Sequence, residues 1–136
     1  METTEKISNH NKQWYLVEII EKCEPADRAK TNDLRRVTTW GNMHLVKAKS
    51  SEEAYDKGMK IGKESEVKYI NSDKIEMEWT FVGIGDLLLI HEDIEDGAEL
   101  MWTNYGDISN KRAERFAKSK DELIGNLESE EDNLQV

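Results

Sequence analysis

The stretch IEMEWTFVGIGDLLLI, residues 75–90, decides the fold. Ile75, Met77, Trp79 and Phe81 alternate with Glu76, Glu78, Thr80 and Val82. A period of two sends one set to each face of a β-strand. Gly83 and Gly85 interrupt the alternation before Leu87–Ile90 resumes the apolar run. Glycine inside a strand marks a bulge or bend, so one long bent strand is expected. Gly83-Ile84-Gly85-Asp86 lacks the lysine and the serine or threonine of a phosphate-binding loop, and no clear helix follows it.

The other elements are placed outward from this strand. Residues 14–20, WYLVEII, carry one charge, Glu18, among β-branched and aromatic residues, and Pro25 ends the segment. Residues 38–49 form a second strand, with Met43, Leu45 and Lys47 on one face and His44, Val46 and Ala48 on the other. Ser50 and Glu53 form a capping box for a helix to about Glu64, whose stripe of Ala54, Gly58, Ile61 and Gly62 lets it sit close to a sheet. Val67–Ile70 is a short strand before the turn Asn71–Lys74. Asp96-Gly97 is a hairpin signal leading into a last strand, Ala98–Tyr105. Ser109 and Ser119 cap a C-terminal helical segment.

The expected fold class is α+β: an antiparallel sheet of four to five strands, one helix packed on it and a peripheral C-terminal helical segment. The expected organisation is a flexible N-terminus over residues 1–12, one domain over 13–127 and a disordered acidic tail over 128–136. Trp14, Trp79 and Trp102 are expected in the core.

The chain has 136 residues and a formal net charge of −10. Acidity repels phosphate backbones and anionic membranes and attracts basic proteins, so nucleic acid is disfavoured. One cysteine, Cys23, allows no disulfide within the chain and fits a reducing compartment. No apolar signal core stands at the N-terminus, and no run is long enough to cross a bilayer, so the expected location is the cytoplasm.

Four groups of residues resemble a known family. They are Trp14-Tyr-Leu-Val; His44-Leu-Val-Lys-Ala leading into Ser50-Ser-Glu-Glu-Ala; Trp79-Thr-Phe-Val-Gly-Ile-Gly-Asp-Leu; and Asp96-Gly-Ala-Glu-Leu. In that order they resemble the bacterial family described as domain of unknown function 4288, over about residues 13–106. The resemblance implies a small α+β domain and carries no catalytic residue.

The residues themselves offer few sites for chemistry. His10, His44 and His91 never stand four apart, and no HExxH is present. His91, beside Glu92 and Asp93, reads as an exposed turn histidine, with a metal or general-base role as the functional alternative. Cys23, flanked by Glu21 and Glu24, offers no activated nucleophile. No cofactor or metal is implied. Two clusters are candidate binding residues. Arg28, Arg35 and Arg36 precede Trp40 in a basic loop suited to an anionic ligand or a protein. Glu92, Asp93, Glu95 and Asp96 form an acidic turn suited to a basic partner.

The functional expectation is therefore a binding or regulatory module acting through protein–protein contacts rather than an enzyme. A small enzyme or ligand-binding domain with a pocket at the Gly83–Asp86 bend is the alternative. Prokaryotic immunity and anti-defence inhibitors share this size and charge by analogy. The strand Trp79–Ile90 could also pair with itself across a two-fold axis to give a dimer.

Overall fold

The computed structural model describes residues 12–134. It divides into two compact units, Met1–Trp102 and Thr103–Val136. The expected flexible segment 1–12 lies almost wholly outside the described residues.

The first unit is a four-stranded antiparallel sheet with one helix. Its elements are β1 (Gln13–Pro25), β2 (Thr38–Ala48), α1 (Ser51–Glu64), β3 (Val67–Ile70) and β4 (Glu76–Leu89). The sheet order is β2-β1-β4-β3. β1 is central and pairs with β2 in unbroken register from Gln13↔Ala48 to Cys23↔Thr38. Against β4 its register shifts twice, between Glu18 and Ile19 and between Ile20 and Glu21. The residues left over on β4 are Gly85 and Val82, so the bend expected at the glycines is a pair of bulges. Gly83, between them, has φ +157, a conformation that side chains disfavour.

The core lies on one face of the sheet. Tyr15, Val17 and Ile19 of β1 meet Val46 and Ala48 of β2 and Ala54 of α1, with Ile61, Phe81, Ile84, Leu87 and Leu89 packed around them. α1 covers this face through its buried residues Ala54, Gly58 and Gly62. The expected capping box forms with one difference. The Ser50 hydroxyl accepts from the Glu53 amide at 3.1 Å, and the Glu53 carboxylate returns to the Lys49 amide at 3.3 Å rather than to that of Ser50. Removing the cap with Ser50→Ala is expected to cost about 1 kcal/mol, measured by denaturant unfolding.

Three expectations are corrected. Residues 98–105 form no strand, so the sheet has four strands. This segment lacks a partner strand, and an isolated extended segment gains no ladder bonds. Trp102, expected in the core, is 70% exposed. Residues 128–134, expected as a disordered tail, continue a helix.

That helix belongs to the second unit, which holds α2 (Asn110–Glu114) and α3 (Lys120–Leu134). Both serine caps read from the sequence are made: Ser109 accepts from Arg112 at 3.2 Å and Ser119 from Glu122 at 3.1 Å. Tyr105 and Phe116 stack at 4.2 Å. The acids Asp121 and Glu122 in the first turn of α3 complement its dipole. No described helix is long and apolar enough to cross a membrane.

Candidate interaction surface

The residues predicted as one basic-aromatic patch lie on opposite faces of the sheet. Side chains alternate along β1, so Glu21 and Cys23 share the helix face, while Lys22 and Glu24 point the other way. Glu21 fixes the assignment, because its carboxylate accepts the hydroxyl of Ser65, the residue that ends α1. Trp40 is the direct partner of Glu21 and so stands on the helix face.

The arginines fold under the other face. Glu24 is 2% exposed, the only buried charged residue among those described. Arg35 holds it with two parallel bonds, Nε to Oε1 at 2.7 Å and Nη2 to Oε2 at 3.1 Å. Arg28 stands 3.8 Å from the same carboxylate and donates to the Arg36 carbonyl at 2.9 Å. Arg35 also bonds the carbonyls of Lys30 and Asn32, and Lys30 pairs with Glu78 at 3.0 Å. The Arg35 bonds hold the Glu24 carboxyl below the ordinary carboxylate pKa against the opposing effect of burial, and the same bonds raise that of Arg35. The basic segment is thus spent on folding its own loop. Of its three arginines only Arg36 is exposed, and the exposed Lys30 is already paired with Glu78.

On the helix face, at and beyond the last turn of α1, the sheet is uncovered. Trp40 is 58% exposed and meets Trp79 at 5.3 Å with the rings tilted by 58°. Val67 and Tyr69 of β3 pair with Trp79 and Met77 and extend the surface. Cys23 lies buried beneath, its sulfur 3.8 Å from the Tyr69 hydroxyl. That bond, followed by burial, raises the Tyr69 phenol above its usual pKa. Non-local pairing assembles this platform from three strands; Trp40 is a binding candidate on sequence alone, whereas Trp79, expected in the core, stands half-buried outside the core cluster.

The acidic cluster stays dispersed. Glu92, Asp93, Glu95 and Asp96 are all exposed, and the turn is closed by the Ala98 amide bonding the Glu95 carbonyl. Glu92 and Asp93 join His91, Trp14 and Lys12 around a cavity of about 230 Å³. A neighbouring cavity of about 240 Å³ is lined by Leu87–Leu89, His91 and Leu100–Trp102. Both are smaller than the roughly 300–1,000 Å³ usual for ligand pockets. None of the cavities described includes Gly83–Asp86. His44 lies on β2 opposite Val17, away from His91, and His10 falls outside the described residues. Among the described residues no group of three His, Cys, Asp or Glu is placed to hold a metal ion.

Neither a curated protein nor a solved structure matches the chain. Residues 8–102 match the family described as Domain of unknown function (DUF4288). The match spans the sheet, its helix and the segment to Trp102, and the chain therefore belongs to the DUF4288 family.

Proposed function

We propose that this protein is a binding module that engages a basic protein partner through the aromatic platform of Trp40, Trp79 and Tyr69. The observation that carries the reading is the Trp40–Trp79 pair, held on strands yet left open, with Trp40 58% exposed. Tryptophan and tyrosine dominate binding hot spots because they bury large area at low entropic cost. The platform is rigid before binding, since its side chains stand on paired strands, and preorganisation spares ordering entropy. The net charge of −10 supplies attraction for a basic partner and speeds encounter. The groups that would serve catalysis elsewhere are engaged in structure: Glu24 with Arg35, and Cys23 with Tyr69.

The test is a paired pull-down of wild type and Trp40→Ala at matched concentration. Trp40→Ala removes an exposed ring, so its Tm should stay near wild type. A basic protein recovered with wild type should bind the variant at least about thirtyfold more weakly, the scale of a hot-spot truncation. Equal recovery by both chains would remove the platform from function.

A further inference from the structure

We infer that β2 is a dimerisation edge, pairing antiparallel with β2 of a second copy about a two-fold axis through His44. β2 is an outer strand of 11 residues with no proline, no acid and no register break. Edges are normally blunted by bulges, charges or covering groups. The open part of β4 shows all of these: two bulges, the Glu66 carboxylate on the Phe81 amide and the Asp86 carboxylate on the Leu87 amide. Edge β3 is only four residues long. β2 is long and mostly unprotected.

The backbone polarity sets which residues can pair. The Trp14 carbonyl accepts from Ile90, so Trp14 turns its backbone groups toward β4. Its partner Lys47 must then turn outward, as must Leu45, Met43, Gly41 and Thr39 at every second position. The Lys47 carbonyl accordingly meets Lys57 Nζ from α1. Among the described residues no side chain bonds the outward groups of Gly41, Met43 or Leu45.

One register uses these groups and is self-complementary in side chains. With His44 opposite itself, Met43 faces Leu45 of the second copy, and Leu45 faces its Met43, on the face away from α1. These side chains are 42% and 45% exposed in the single chain. Lys47 then lies opposite Gly41 of the second copy. Gly41 has no side chain, and the Glu18 carboxylate occupies the space where its Cβ would stand. Lys47 projects to this same face, its ammonium 5.3 Å from the centre of the Trp14 ring, so it can cross the missing side chain to Glu18. The pair forms twice by symmetry. Two chains of −10 repel at distance, but Lys47 is the only formal charge on β2, and screening over about 8 Å at physiological salt leaves the local pairs in control.

Sedimentation equilibrium and cysteine trapping on the full chain test this inference. Wild type should show a concentration-dependent dimer. Lys47→Glu should weaken it by about tenfold or more by placing like charges at both pairs. In the proposed register His44 is a non-hydrogen-bonded pair with Cα atoms about 4.5 Å apart, within disulfide reach. Oxidised His44→Cys should therefore trap a covalent dimer, whereas Leu45→Cys and the wild type with its buried Cys23 should not. A monomer at the highest attainable concentration, a dimer indifferent to Lys47→Glu, or trapping at Leu45 rather than His44 would each overturn the inference. Trp40 itself lies on β2, opposite Ala48 of the second copy in this register, so Trp79→Ala on β4 is the platform variant that leaves the edge unchanged, and Lys47→Glu leaves Trp40, Trp79 and Tyr69 unchanged; failure of the platform and failure of the dimer are thus separate results.

Discussion

Replacing Glu24 by alanine is expected to lower Tm by roughly 10 °C or more, because it strands a guanidinium. Arg35 has only 12% of its side chain exposed and aims two nitrogens at Glu24. Removing one partner of a buried pair leaves an unpaired charge, which costs far more than the intact pair contributes. Glu24→Ala combined with Arg35→Leu should recover part of the loss, since it removes the stranded charge while the cavity left by alanine remains. Differential scanning calorimetry on the three variants decides it, and equal Tm values for the single and double variants would refute the argument. pH provides a second readout. The folded pKa of Glu24 lies below its ordinary value of 4.5. Its contribution is thus complete above the unfolded carboxylate range and drains away as pH falls through the folded value. Wild type should lose Tm on acidification below about pH 4.5 more steeply than the double variant.

This ion pair also shows where sequence reading stopped. Alternation within residues 14–20 and 75–90 sufficed for the strands, because the period of two is local information. The serine caps at 50, 109 and 119 were legible for the same reason, each signal lying within four residues of its helix start. Glu24 and Arg35 stand eleven residues apart across a polar loop, and nothing local marks one glutamate of a charged chain as buried. Arg28 and Arg35, candidates for binding on sequence alone, pair with Glu24 and bond carbonyls of their own loop. The platform was half legible. Trp40 stood out after the basic segment, but Trp79 met it only because β1 separates β2 from β4. The strand expected at 98–105 failed for the converse reason: its apolar residues satisfied a local pattern with no partner to pair with.

Gly58→Ala is expected to destabilise the fold even though alanine is the better helix former by about 1 kcal/mol. Two effects oppose each other. The helix gains propensity and loses unfolded-state entropy. Against this, a Cβ at position 58 would stand 2.6 Å from Val17 Cγ1 and 2.9 Å from Ile84 Cδ1. Val17 is fully buried on the central strand and its β-branch restricts χ1, so the clash is relieved only by moving α1 off the sheet. Overpacking of this kind costs about 1–3 kcal/mol, which exceeds the propensity gain, and a larger residue widens the gap. Gly62 repeats the geometry against the Phe81 ring. Gly125 in α3 is the control, because nothing lies within 4 Å of its added Cβ; there alanine should raise helix content without cost. Urea unfolding of Gly58→Ala, Gly58→Leu and Gly125→Ala ranks the two effects. Stability should fall in the order wild type, alanine, leucine at position 58, and rise or hold at 125. A more stable Gly58→Ala would mean that α1 rides further from β1 than the core geometry places it.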